Sequence, residues 1–167
     1  MNTIKYKFSL FFCILFIATS CSNADDTAVY NDPLNNISSS NVILRINKSI
    51  FDDIDNNRIN NISEGNFIKI NNGKKNGDFI ELSVSYSGGC KAHNFEIIWD
   101  GIVHTNAPCN MNFLLVHSGN NDSCEAYITE TIIINLKELL GEVTYSSSCS
   151  FNIFNTHNAS NIPNIKI

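Results

Sequence analysis

The stretch FIELSVSY, Phe79 to Tyr86, decides the fold class. Its apolar side chains recur at every second place: Ile80, Leu82, Val84 and Tyr86 share one face, and Glu81, Ser83 and Ser85 the other. A two-residue period marks a strand buried on one side. Working outward, HNFEIIW sets Phe95, Ile97 and Trp99 together, and NFLLVH groups Phe113, Leu115 and His117. AYITETIIINL is long enough for a helix, but branching at Cβ in its Thr and Ile residues favours a strand. VILRIN, NFIKI, EVTY, CSFNIF and PNIKI are shorter candidates. Turn signals separate them at Asn72-Gly73, Asn76-Gly77, Gly88-Gly89, Asp100-Gly101 and Gly119-Asn120. Only LKELLG, Leu136 to Gly141, reads as helical, about one turn long. Many short strands with regular turns predict an all-β, antiparallel β-sandwich or barrel-like sandwich, a single domain over residues 42–167.

The N-terminus carries a different signal. Lys5 and Lys7 precede an apolar run from Phe8 to Ala18, which exits through Thr19-Ser20-Cys21. A charged region, a short apolar core and small exit residues describe a secretory signal peptide over residues 1–20. A membrane-spanning helix needs about 20 apolar residues, more than this run supplies. IATSC resembles the lipobox of bacterial lipoproteins, with Ala18 where Leu, Val or Ile is usual. The resemblance implies that Cys21 is lipidated and begins the mature chain, held in the membrane by its acyl chains. Ser22 stands where an Asp would retain an enteric lipoprotein in the inner membrane, and NADD resembles the acidic tracts after the lipid cysteine in surface-exported lipoproteins. An outer-membrane, lipid-anchored and cell-surface location is the expectation. Asp26-Thr27-Ala28 also matches a short O-glycosylation signal. Residues 21–41, polar and without apolar period, read as the lipidated cysteine and a flexible tether.

Removing Lys5 and Lys7 takes the formal charge from −5 to −7. That balance argues against nucleic acid, which needs a basic footprint. Asn occurs 27 times, so no single Asn carries much functional weight.

Apart from Cys13 and Cys21, the chain holds Cys90, Cys109, Cys124 and Cys149. An even set in an exported domain reads first as two disulfides. Three pairings are open; the placement of turns leans toward Cys90–Cys124 with Cys109–Cys149. The competing reading is a zinc site from Cys90, His93, His117 and Cys124, since zinc takes thiolate and imidazole in a tetrahedron. His-x6-Cys is not a standard half-site, and an oxidising compartment favours the bridges. A mixed outcome leaves His93 and His117 to bind metal beside an intact bridge. His117 otherwise reads as a half-buried ring bonded to backbone, and His104 and His157 as surface residues.

GGCKAHNFEIIWDG and HSGNNDSCEAYITET, together with IATSC, resemble a group of small secreted lipoproteins of the Bacteroidetes. The resemblance covers Asp78 to about Leu136 and includes Gly88, Gly89, Cys90, His93, Trp99, His117, Cys124 and Glu125. It implies no activity; it implies that the Cys/His cluster belongs to the core design of the domain.

DIDNNRINNISE, Asp53 to Glu64, resembles the calcium-loop template: Asp53, Asp55, Asn57, Asn61 and Glu64 fall where oxygen ligands belong. Arg58 holds the place of the required Gly, and an ordinary polar loop is the favoured reading. For catalysis the sequence offers no Gly-x-Ser-x-Gly, no His-Glu-x-x-His and no phosphate-binding glycine loop. Asp100, Glu125 and Glu130 are carboxylates that nothing local brings together. The expectation is therefore a non-catalytic binding or structural envelope module with a protein or glycan partner and no cofactor. Its contacts are expected from loops at one end of the sandwich, Gly101 to Asn112 and Ser118 to Ser123. A metal-binding protein using zinc or calcium is the alternative.

Overall fold

The structure, a computed structural model, describes residues 42–167 except 106, 144, 146, 147 and 161. The leader, Cys21, the tether and Asp26-Thr27-Ala28 lie outside the described residues. The element order is β1 (Val42–Ile46), α1 (Lys48–Ile59), β2 (Lys69–Asn76), β3 (Phe79–Gly88), β4 (Asn94–Trp99), β5 (Asn110–Ser118), β6 (Ala126–Asn135), α2 (Leu136–Leu140), β7 (Ser150–Asn155) and β8 (Ile165–Lys166). A five-stranded sheet in the order β1-β4-β5-β7-β8 packs on a three-stranded sheet in the order β2-β3-β6. The fold is an all-β sandwich.

Alternation places the core as the sequence predicts. Ile80, Leu82 and Val84 of β3, with Ile132 and Ile134 of β6, meet Phe95, Ile97 and Trp99 of β4 and Met111, Phe113 and Leu115 of β5. Trp99 also donates its Nε1–H to the Ile102 carbonyl at 3.2 Å, so its one polar atom is satisfied. AYITETIIIN forms β6, and Asn135 caps α2 by accepting the Glu138 N–H at 3.2 Å.

Several expectations need correction. First, the larger sheet is mixed: β1 runs parallel to β4, and β5 parallel to β7. Parallel neighbours need a long crossover, here the chain through α1 and the β2–β3 hairpin, and the chain through β6 and α2. Second, residues 48–59, for which the sequence favours a polar loop over Asp53 to Glu64, form the three-turn helix α1. Asn47 caps it by accepting the Ile50 N–H at 3.0 Å, and Lys48 pairs with Asp52 at 2.5 Å one turn on. Its inward stripe of Ile50, Phe51 and Ile54 packs on Ile98, Leu114, Val116 and Phe154, covering that outer face of the five-stranded sheet. Arg58 ends the stripe, 3% exposed, over the Phe154 ring and bonded to Asp55 and to the carbonyls of Asn158 and Ser160.

Third, that helix removes the calcium loop. Asp53 and Asn57 share one face of α1, while Asp55, roughly 200° round the helix from each, points away, so the three cannot converge on one ion. Asp55 is occupied by Arg58 at 2.6 Å, and Asn57 donates to Glu64 at 3.4 Å, while Asn61 sits beyond the helix end. Fourth, Asn72-Gly73 is no turn but part of β2, beside an irregularity between Ile70 and Asn72. A Cβ at Gly73 would stand 2.7 Å from Leu82 and 2.8 Å from Ile167, so the bare glycine lets the core close. EVTY is likewise not a strand at its described residues.

Register defines the two ends. Asn94 pairs with Ser118 and Gly88 with Ala126, so the β3–β4 and β5–β6 connections meet at one end. Trp99 pairs with Phe113, which puts Gly101 to Asn112 at the other. The two loop groups expected to act together are thus at opposite ends of the sandwich.

Candidate functional site

Two bridges pin the two ends. Cys90–Cys124 joins the β3–β4 and β5–β6 connections, with Cα atoms 5.9 Å apart. Cys109–Cys149 joins the residue just before β5 to the residue just before β7, with Cα atoms 4.6 Å apart. The pairing is the one the turn placement favoured.

The Cys90 end holds a polar cluster built by three chain segments. Gly88 closes β3 under His93, where a Cβ would stand 2.5 Å from the ring Nε2; only glycine fits. Gly89 follows with φ +114, and the three successive amides of Gly89, Cys90 and Lys91 turn inward together. All three donate to Oδ2 of Asp122 at 2.9 Å, and the Cys124 amide donates to its Oδ1 at 2.9 Å. The Asp122 side chain is 1% exposed. The N–H of Cys124, then those of Lys91 and Cys90 and the His93 ring, hold this carboxyl well below the usual range, outweighing its own desolvation. The turn before it uses two left-handed residues, Asn120 and Asn121, whose carbonyls take Lys91 Nζ at 3.1 and 2.8 Å.

Behind Asp122 lie the two imidazoles. His93 Nε2 is 3.2 Å from Asp122 Oδ2, and His93 Nδ1 is 2.8 Å from His117 Nε2. His117 Nδ1 donates to the Phe67 carbonyl at 3.1 Å. Both residues are buried, His93 at 3% and His117 at 1% exposure. Burial lowers the His117 pKa, and the Phe67 carbonyl partly offsets that. Tyr86 stacks on His93 with centroids 4.4 Å apart, and Phe95 on His117 at 5.2 Å. The Tyr86 hydroxyl donates to Glu130 Oε1 at 2.5 Å; burial first, then Glu130, push the phenol well above its ordinary value.

The structure does not support the thiolate metal reading. Cys90 and Cys124 are spent in a bridge, and the facing nitrogens of His93 and His117 are bonded to each other. Cys90, Cys124 and Asp122 lie within ligand distance of one another, but two of the three atoms are the bridge sulfurs. All four ring nitrogens have partners, so neither imidazole offers a free base to a substrate. Asp100 sits at the far end, accepting the Ile102 N–H at 2.9 Å, and Glu130 is held by Tyr86; the structure does not bring Asp100, Glu125 and Glu130 together. His104 lies half-buried 3.7 Å from Asp100, and His157 faces the Gly65 carbonyl at 3.1 Å.

Solvent meets the cluster at an open groove of about 310 Å³ lined by Asn66, Phe67, Ser87, Asp122, Ser123, Cys124 and Glu125. Asn66 is fastened to both neighbours: its N–H donates to the His117 carbonyl at 2.7 Å and its side chain accepts the Gly119 N–H at 2.8 Å. Phe67, next to it, is 62% exposed, and Tyr127, paired with Ser87, is 64% exposed. A second trough, of about 560 Å³, lies over the outer face of the three-stranded sheet between Lys74, Glu81, Ser83 and Thr131. Sequence reasoning missed Asp122, Asn66 and Phe67; the one usable signal was Asp122 two places before Cys124 in a turn-rich run.

Fold and bridges together define an exported, disulfide-bonded β-sandwich of an oxidising, extracellular or periplasmic compartment. Among the described residues no helix is long and apolar enough to cross a membrane. No protein-family model matches the chain, and no curated protein matches it. Similar solved structures include a NigD-like immunity protein from Bacteroides caccae, at 13% identity and TM-score 0.44, covering 68% of this chain and 52% of that one. Another is a toxin-related protein from Parabacteroides distasonis, at 15% identity and TM-score 0.41, covering 70% and 57%. A third is a protein of unknown function, DUF1344, from Bacteroides vulgatus, at 14% identity and TM-score 0.40, covering 67% and 48%. The chain spans about half the length of these structures.

Proposed function

We propose that this chain is a lipid-anchored, non-catalytic binding module of the outer membrane, tethered through Cys21 and meeting a protein or glycan partner with the Cys90–Cys124 end of its sandwich. The observation that carries the binding face is the exposed Phe67 beside a groove whose walls are held by a disulfide, by the Asp122 amide nest and by Asn66. A rigid wall with one exposed aromatic supplies contact area at low cost in ordering. The non-catalytic reading is supported by the saturated hydrogen bonding of His93, His117 and Asp122. The anchor reading is supported by the IATSC exit and by a cysteine count that leaves Cys21 without a bridge partner once the other four mature cysteines are paired.

Two experiments test it. Labelled palmitate should enter the full chain and not the Cys21→Ala chain, and the latter should leave the membrane fraction; unlabelled wild type defeats the anchor. A photo-crosslinking residue at Phe67 should capture a partner on intact cells, while the same residue at Thr131 should not. Equal capture from both positions, or capture from Thr131 alone, moves the binding face to the sheet.

A further inference from the structure

We infer that the buried His93–His117 pair holds one proton more than two neutral imidazoles, and that this shared proton locks together the three chain segments of the Cys90–Cys124 end. The deduction is a proton count. The chain of contacts runs from Asp122 Oδ2 to His93 Nε2 at 3.2 Å, from His93 Nδ1 to His117 Nε2 at 2.8 Å, and from His117 Nδ1 to the Phe67 carbonyl at 3.1 Å. Both ends of the chain, a carboxylate and a carbonyl, only accept. Three hydrogen bonds need three protons, and two neutral rings carry one each. The third cannot come from Asp122, whose two oxygens already accept four backbone N–H groups and are held ionised by them.

The extra proton belongs on His93, the ring facing the carboxylate, because an imidazolium out of water needs a charged partner. His117 is then neutral, protonated at Nδ1, and accepts from His93 at Nε2. The lowered His117 pKa agrees with that assignment. The charged and titratable groups around the pair fit one cation. Asp122 faces it from the β5–β6 connection, and Glu130 of β6 lies beyond the Tyr86 ring of β3, which stacks on His93 and lies tilted against His117. Lys91, on the β3–β4 connection, is turned away to the carbonyls of Asn120 and Asn121. His157 lies on the far side of the Phe67 ring at 6.1 Å, bonded to Gly65. Phe95 of β4 closes the remaining side without charge.

Removal of that proton must break a bond. Either a bare His93 Nε2 faces the Asp122 carboxylate, or two lone pairs face each other between the rings, or His117 releases Phe67. Cys90–Cys124 still ties the connections covalently, so the result is a loosened end and not an unfolded domain. The direction follows: the three-segment lock is closed at acid to neutral pH and opens as the pH rises through the value at which the proton leaves. Asn66, Phe67, Asp122 and Cys124, which line the groove, move with it.

The test is the nitrogen-15 spectrum of the imidazole rings in the full chain, exported and purified in detergent, titrated from about pH 5 to about pH 9. At neutral pH one ring should show both nitrogens protonated and a second the Nδ1–H form alone. Exchange of the Gly89, Cys90 and Lys91 amides, corrected for intrinsic rate, should accelerate as the pH passes that ring's midpoint. In Asp122→Asn the midpoint should fall by about one pH unit or more, a tenfold change. Two neutral rings in the wild type at pH 7 overturn the inference, as does a midpoint that Asp122→Asn leaves in place. Amide exchange that ignores the ring titration overturns the lock.

Discussion

Removing the two disulfides separately distinguishes the two ends of the sandwich. Cys90–Cys124 closes a separation of 34 residues and Cys109–Cys149 one of 40. Loop-closure entropy makes these nearly equal, about 4 kcal/mol each at room temperature. The closed segments overlap, since Cys109 lies inside the first and Cys149 outside it. Each bridge therefore shortens the walk the other must close, so a single removal costs somewhat less than about 4 kcal/mol and removal of both exceeds the sum of the singles. Surroundings separate the two pairs. Cys149 is 7% exposed and packs in the main core with Cys109 against it, whereas Cys90 is exposed. Cys109→Ala/Cys149→Ala should lose about 1 kcal/mol more through the space its sulfurs vacate. Urea unfolding of the purified full chain reads the difference as a midpoint shift at constant slope. The imidazole spectrum reads the other half: Cys90→Ala/Cys124→Ala should perturb the His93 and His117 signals, and Cys109→Ala/Cys149→Ala should leave them unchanged. The reasoning is refuted if the Cys90 pair is the costlier by 1 kcal/mol or more, or if the far bridge moves the ring signals.

Three further perturbations probe separate joints. Asn155→Ala strips a buried side chain that donates to the Ile68 carbonyl and accepts the His157 N–H at 2.9 Å; two orphaned backbone groups predict a loss of about 2 kcal/mol in urea unfolding, and no loss would mean water replaces the amide. Phe51→Ala empties the α1 contact with Ile98 and Leu114 and should cost about 3 kcal/mol, with helical circular dichroism reduced along with stability; an unchanged midpoint would show α1 to be dispensable. Asp122 has its folded-state pKa depressed, so its contribution is present above the unfolded value of about 4 and is lost as pH falls through the folded one. Stability measured against pH in the acid range should decline more steeply for wild type than for Asp122→Asn, and parallel curves would show the carboxylate to be as free when folded as when unfolded.

What was legible in the sequence follows the range of the interactions involved. Alternation at Ile80, Leu82, Val84 and Tyr86 is local, and it placed the core correctly because a pleated strand has one way to bury every second residue. Parallel pairing of β1 with β4 and of β5 with β7 left no local mark, since it depends on which remote strand supplies the neighbour. The helix α1 was hidden because one turn of its buried stripe is an arginine: Arg58 reads as solvent-facing until the carbonyls of Asn158 and Ser160 arrive from about a hundred residues away in sequence to receive it. At the site, Cys90, His93, His117 and Cys124 were marked as a group, and the structure does bring them together. Their chemistry was open to two readings because Asp122, which decides it, is an ordinary turn residue until three consecutive amides close on it.

The distribution of open surface then bears on where a partner can sit. One outer face, on the five-stranded sheet, carries α1, with Phe51 against Ile98 and Leu114. The other, on the three-stranded sheet, keeps Thr129 and Thr131 exposed, and its polar trough spans β2, β3 and β6. Of these strands, β3 and β6 lead on to the paired Ser87 and Tyr127, and Ser87 lines the Phe67 groove. Groove and trough are therefore joined along β3 and β6, so a partner seated at Phe67 and extending past Tyr127 meets the hydroxyls of Thr129, Thr131 and Ser83. Within the trough, charge enters where Lys74 and Glu81 pair at 2.9 Å. An exposed pair of that kind adds about 0–1 kcal/mol and is screened by salt. Binding through Phe67 and Tyr127 should accordingly survive high ionic strength, and binding centred on Lys74 and Glu81 should not. A salt titration of partner capture, with Phe67→Ala and Lys74→Ala chains side by side, separates the two: affinity lost with Phe67 and flat in salt places the contact at the clamped end, and the opposite pattern places it on the sheet.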